Sequence, residues 1–188
     1  MVDAPLIGVL ALQGGFAAHE RMLQGLGART RQVRVPADLE GLDGLILPGG
    51  ESTTMTLGIA REGLAEPLRA LAASGAPVLG SCAGLIMLDR EHLGLMDMRA
   101  ERNAFGRQVR SFESEVELPG LEGGPIHGVF IRAPWIAEHG PDVEILAAVD
   151  GHPVAARRDN VLVVAFHTEL GRDPRLHEMF LDRVAAAR

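Results

Sequence analysis

The chain has 188 residues, 47% of them hydrophobic and 23% charged, which is the size and balance of one globular domain and excludes a largely disordered chain. A net charge of −7 offers no basic field to a nucleic-acid backbone, and six Phe, one Trp and no Tyr are too few for a base-stacking platform. A single cysteine excludes an internal disulfide or a cysteine cluster for zinc or iron–sulfur, and because all 18 basic residues are Arg the chain forms no lysine imine.

In chain order, Leu6 to Leu12 is a nearly unbroken apolar run, read as a strand buried on both faces. Gln13, Gly14 and Gly15 make a turn. Phe16, Met22, Leu23 and Leu26 then define an amphipathic helix that stops at Gly27. Thr30 to Val35 is a second strand, and Gly44 to Leu47 a third, closed by Pro48-Gly49-Gly50. Helices over Thr53–Arg61 and Leu64–Ala73 follow, then a fourth strand over Pro77–Gly80 and a helix over Ala83–Asp89. This alternation predicts a parallel sheet covered on both sides. The second half changes character. Gly106 to Leu118 alternates, and Val129–Arg132, Val143–Val149, Val154–Arg157 and Val161–Phe166 are short strands. Asp150-Gly151 and Asp159-Asn160 separate the last three as hairpin turns, and Pro174 to Ala187 is a closing helix. No repeat or linker divides residues 1–188, so a single domain is expected. No apolar run reaches the ~20 residues that span a bilayer, and Met1 to Pro5 lacks the basic region of a signal peptide. The expected location is cytoplasmic.

Three segments carry chemistry. Gly80-Ser81-Cys82-Ala83-Gly84 lies between a β-run and an apolar helix, the nucleophile-elbow pattern with cysteine at its centre. The glycines permit close backbone approach, the helix dipole favours thiolate, and the Ala83 amide is placed to meet an oxyanion. A buried structural thiol is the plainer reading of a lone cysteine. In Phe166-His167-Thr168-Glu169, extended chain would turn His167 and Glu169 to one side, as a base and the acid that orients it. Alone, that pair reads as solvated surface. Pro48-Gly49-Gly50-Glu51-Ser52 follows the third strand; its glycines expose amides to a ligand, and Ser52 or Thr53 would cap the next helix. All three lie at carboxyl ends of strands, where α/β sheets build their sites. His19 and His177 are assigned to helices, and His92, His127, His139 and His152 lie near loops, all without a chemical role.

With these segments, Glu101-Arg-Asn-Ala-Phe-Gly-Arg-Gln108 and Gly128-Val-Phe-Ile-Arg-Ala-Pro134 make the sequence resemble the glutaminase subunits of pyridoxal 5′-phosphate synthase, within the class I (triad) glutamine amidotransferases. The resemblance implies a three-layer, flavodoxin-like α/β fold with antiparallel strands in its second half. It implies hydrolysis of L-glutamine to glutamate and ammonia by Cys82, His167 and Glu169, with no metal or organic cofactor. It further implies oxyanion donors at Gly50 and Ala83, a substrate pocket of Gly49, Gly50, Glu51, Arg102, Ile131 and Arg132, and a separate synthase subunit in an assembly of about twelve of each. Thr168 stands where the family usually has Pro, Ser81 where it often has Thr, and Asp89 to Leu95 is short against its pattern. A cysteine peptidase and a redox-sensing binding protein are the rival readings.

Overall fold

Residues 3–105, 111–171 and 173–188 are described by the computed structural model. The apolar runs become strands that bury both faces. β1 (Leu6–Leu10) leads through α1 (Phe16–Gly25) to β2 (Arg29–Val33), and β3 (Gly44–Leu47) follows. After β3 come α2 (Ser52–Arg61), α3 (Ala65–Ala73), β4 (Val78–Ser81) and α4 (Ala83–Leu88). The second half contributes β5 (Met98–Glu101), β6 (Ser111–Val116), β7 (Ile126–Ile131), β8 (Trp135–His139), β9 (Glu144–Val149), β10 (His152–Arg158), β11 (Val161–Val164) and α5 (Arg175–Ala187).

The main sheet runs β2-β1-β3-β4-β11-β10-β9. β2, β1, β3, β4 and β11 are mutually parallel, whereas β10 is antiparallel to both its neighbours. Every residue of β3, β4 and β11 is buried, as in strands covered on both faces. The α/β class and the late antiparallel strands therefore match the expectation. The β9–β10 hairpin turns at Asp150 (φ 51°) and Gly151 (φ 79°), two successive left-handed residues, as the Asp-Gly pair predicts. The chain passes outward from β1 to β2 and back to β3, so a crevice opens at the carboxyl ends of β1 and β3.

Two differences from the sequence reading matter. β5 and β8 have no counterpart in it. They are short, half-exposed strands carrying charge, and their antiparallel pairing joins segments far apart in sequence, which local patterning does not reveal. β6 begins at Ser111; the Gly106–Arg110 part of the expected strand, with Gly106, Arg107 and Gln108 of the family-like motif, lies outside the described residues. The short Asp89–Leu95 connection is organised by the buried Asp89 carboxylate, which accepts from the Glu91 amide (2.9 Å), the His92 ring (2.8 Å) and the Ala100 amide (3.2 Å). The scarce aromatics pack inward. Phe112 stacks on Phe130 at 4.5 Å and Phe105 meets both edge-on, tying the β6–β7 ribbon to the core. His127, His139 and His152 lie in strands, at or next to their ends, with His152 stacked on Trp135. Among the described residues no helix is long and apolar enough to cross a membrane.

Candidate active site

Cys82 sits between the end of β4 and the start of α4 with φ 50° and ψ −107°, a conformation a side chain tolerates only under constraint, at a cost of about 1–3 kcal/mol. The constraint is visible. The Cys82 amide donates to the Val164 carbonyl (2.9 Å), and its own carbonyl accepts from Leu85 (3.1 Å). The flanking glycines are required by space: a Cβ on Gly80 would lie 2.6 Å from the Leu88 side chain and 2.7 Å from the Gly84 carbonyl, and one on Gly84 would overlap the Leu47 carbonyl. Sγ, the only thiol, is 3.9 Å from the Ile131 carbonyl.

β11 ends at Val164, so His167 and Glu169 do not continue an extended strand as expected. Instead His167 is clamped to β7: its amide donates to the Val129 carbonyl (2.8 Å) and its carbonyl accepts from the Val129 amide (3.3 Å). Its Nδ1 is 2.6 Å from Glu169 Oε1, and the ring lines the same cleft as Cys82. Burial opposes the imidazolium, but the hydrogen bonds to Cys82 and Glu169 and their charges prevail and raise His167 from 6.5 to about 10. Glu169 is itself buried, which favours its neutral form, yet the His167 hydrogen bond and the two nearby imidazoles hold it below the usual carboxylate range. Thr168, between them in sequence, is buried, its hydroxyl without a hydrogen-bond partner among the described residues.

The loop after β3 completes the wall. A Cβ on Gly49 would overlap the His167 ring, so glycine is what lets the Cε1 edge of the imidazole approach this backbone. Gly49 also accepts from the Gly15 amide (2.9 Å), and Gln13 Oε1 accepts from the Glu51 amide (2.6 Å), tying this loop to the β1 turn. The cap of α2 is Glu51, not Ser52 or Thr53: its carboxylate accepts from the amides of Thr53 (3.1 Å) and Thr54 (2.8 Å). Those amides, Thr54 foremost, hold it at about 2. The Arg102 guanidinium lies 3.3 Å from Glu51 and 3.3 Å from the Thr53 hydroxyl, joining the segment after β5 to the loop after β3. Arg132, exposed at the end of β7, has φ 46°.

These elements surround a cleft of about 520 Å³, within the range of small-molecule sites. Cys82, Ala83, His167, Glu169, Gly49, Gly50, Glu51, Arg102, Ile131 and Arg132 all line it, so every site residue taken from the sequence is brought together. Gln13, Asn103 and Leu170 also line it and escape the sequence reading. Gln13 reads as a turn residue until its hydrogen bond to Glu51 is known. Two buried histidines escape it as well. His19 Nε2 is 3.5 Å from Glu169 and 3.2 Å from Ser81 Oγ, and its Nδ1 is 2.9 Å from His177 Nε2. The signal for them is position: His19 shares a helical stripe with Phe16 and Leu23, and His177 with Phe180 and Val184. Among the described residues no group of His, Cys, Asp and Glu is arranged to hold a metal ion.

A strained cysteine, a base and a buried carboxylate form the constellation for nucleophilic acyl transfer. Comparison with known proteins agrees. Residues 9–186 match the model of the SNO glutamine amidotransferase family. The chain is 52% identical to the pyridoxal 5′-phosphate synthase subunit PdxT of Herpetosiphon aurantiacus, over 93% of this chain and 98% of that protein. It is 50% identical to the PdxT subunit of Mycolicibacterium vanbaalenii, over 96% and 98% of the two chains. A solved glutamine amidotransferase superimposes with a TM-score of 0.90 at 44% identity, covering 95% of this chain and 98% of the other. A GMP synthase component from Thermoplasma acidophilum, 18% identical over 99% of this chain and 96% of its own, shares the fold with a TM-score of 0.79.

Proposed function

The chain belongs to the SNO glutamine amidotransferase family, and on that premise we propose that its cleft hydrolyses L-glutamine through Cys82, His167 and Glu169 as the glutaminase subunit of a pyridoxal 5′-phosphate synthase. The observation that carries this reading is the strained elbow that places Cys82 in one cleft with a His167–Glu169 pair joined at 2.6 Å.

The chemistry follows from the parts. His167 takes the Cys82 proton, and the raised value of the ring makes it a ready acceptor. The thiolate attacks the side-chain amide carbon of glutamine. The Gly50 and Ala83 amides stabilise the tetrahedral oxyanion. The C–N bond breaks as His167 protonates the departing ammonia, leaving a γ-glutamyl thioester. Water, deprotonated by His167, then releases glutamate and restores the thiol. Throughout, Glu169 holds the imidazole in the tautomer that presents Nε2 to sulfur. Free glutamine is a zwitterion at its far end. Arg102 and Arg132 supply guanidinium groups for the carboxylate in a chain without lysine, while the neighbouring Glu51 carboxylate suits the ammonium. Gly49 and Ile131 complete the pocket walls.

In this reading residues 1–188 form one glutaminase domain in the cytoplasm. Ammonia passes to a separate synthase subunit, which brings the lysine chemistry this chain lacks, in an assembly of about twelve of each. The test measures glutamate release by the chain combined with such a synthase subunit. Release that is lost in Cys82→Ala supports the reading. No release with the partner present, or undiminished release by Cys82→Ala, overturns it.

A further inference from the structure

The triad does not end at Glu169. The same carboxylate oxygen that receives His167 at 2.6 Å faces His19 Nε2 at 3.5 Å, from α1, and His19 in turn contacts His177 on α5 at 2.9 Å. His19 and His177 are 1% and 0% exposed, so neither exchanges its partner for bulk water. The groups facing His19 are Glu169 beyond β11, Ser81 at the end of β4 and His177 on α5, with His167 behind Glu169.

The proton pattern of this chain is restricted. Burial holds His19 and His177 below the usual histidine value, so both rings are neutral and each carries one N–H. A bare Nε2 on His19 would set a lone pair against the Glu169 carboxylate. An N–H there donates instead toward Glu169 and Ser81. His19 Nδ1 is then the acceptor, His177 Nε2–H the donor, and His177 Nδ1 the bare nitrogen. That last atom is, of the four ring nitrogens of His19 and His177, the one buried without a hydrogen-bond partner among the described residues. An unpaired lone pair is the cheaper orphan than an unpaired N–H.

We infer that His19 is a positioning residue for the triad, locked by His177 in the tautomer that gives Glu169 an N–H from outside the triad. The carboxylate oxygen that meets His167 is thereby held from a second direction, and its charge is aimed at His167. This inference rests on the glutaminase reading of the site. It makes a specific demand: weakening the grip on Glu169 must weaken the thiolate–imidazolium pair without disturbing the glutamine pocket.

The test uses His19→Leu, His19→Gln and His177→Leu, with unfolding curves to confirm folding. Two readouts are compared: glutamine kinetics in the complex with the synthase subunit, and the pH midpoint of Cys82 alkylation by iodoacetamide, which needs neither glutamine nor partner. His19→Leu is expected to lower kcat about tenfold with KM within about twofold. It should also move the alkylation midpoint up by about 0.5–1 pH unit. His19→Gln, which returns an N–H to the same place, should recover most of both. His177→Leu should shift the midpoint in the same direction by less. A folded His19→Leu with wild-type kcat and midpoint overturns the inference. So does equal loss of kcat in the Leu and Gln variants with the midpoint unmoved, which marks a packing role. If His19→Leu does not fold, His177→Leu decides, and an unmoved midpoint there overturns it. Absence of glutamate release by the wild-type complex would instead refute the glutaminase reading, and the alkylation comparison would stand apart from it.

Discussion

Glu169→Gln is the substitution whose consequence the structure defines most closely. It keeps the shape of a buried side chain and removes one charge. The rise of His167 from 6.5 to about 10 is shared by Cys82 and Glu169 against the opposing effect of burial, each contributing a hydrogen bond and a charge. Removing the Glu169 charge and its acceptor takes away part of that support, so the imidazolium falls back toward the ordinary histidine value. A second effect adds to this. A glutamine amide donates where the carboxylate accepted, and an N–H turned toward His167 Nδ1 would force the ring proton onto the nitrogen that must receive the thiol proton. The combined expectation is a kcat lower by about 10² to 10³. KM should change less than about threefold, because Glu169 sits behind the imidazole rather than against the substrate. Glutamate release in the assembled complex measures both constants. A Glu169→Gln variant whose kcat stays within about threefold of wild type would refute the assignment of Glu169 as the orienting acid.

Three further outcomes follow from the same geometry. Gly49→Ala adds a methyl where the His167 ring lies, so kcat should fall by at least about tenfold while Cys82 and Glu169 remain intact; full activity would show that the ring has room to move. Arg102→Ala removes a charge-assisted contact worth about 1.5–3 kcal/mol, a ten- to hundredfold loss in glutamine kcat/KM, with iodoacetamide labelling of Cys82 little changed; wild-type glutamine kinetics would transfer the role to Arg132 or to backbone groups. Stability should fall on acidification. His177 is lowered by burial to about 3, so below about 6.5 the unfolded chain takes up a proton that the folded one refuses until about pH 3. The contribution is therefore full above the unfolded value and is lost as pH falls across that window, at about 1 kcal/mol per pH unit. Urea unfolding of wild type and His177→Leu between about pH 7 and 4.5 should show a shallower acid slope in the variant, and parallel slopes would refute a neutral buried His177.

The sequence discloses most where local sterics and chemistry coincide. Gly80, Cys82 and Gly84 specify the elbow because each glycine answers a definite close contact, and Gly44–Leu47 stands as a strand with the bounds its apolar run predicts. Asp150-Gly151 discloses its hairpin because both residues must turn left-handed. It discloses least where meaning depends on distant partners. β5 and β8 exist only through each other. His19 and His177 are ordinary helix residues until α1 and α5 pack and bring their rings to 2.9 Å. Glu51 reads as a pocket residue, yet it is also the cap of α2 and the partner of Arg102, because its carboxylate has enough acceptor sites for all three tasks.

The central claim, that Cys82 is the nucleophile toward glutamine, is tested most directly by intact-mass analysis after exposure to an electrophilic glutamine analogue in the assembled complex. Cys82 is the only thiol, so the account predicts a single adduct per chain, mapped to Cys82, suppressed by excess glutamine and absent from Cys82→Ala. Glutamine turnover by a chain fully adducted at Cys82, or an adduct retained in Cys82→Ala, would contradict it.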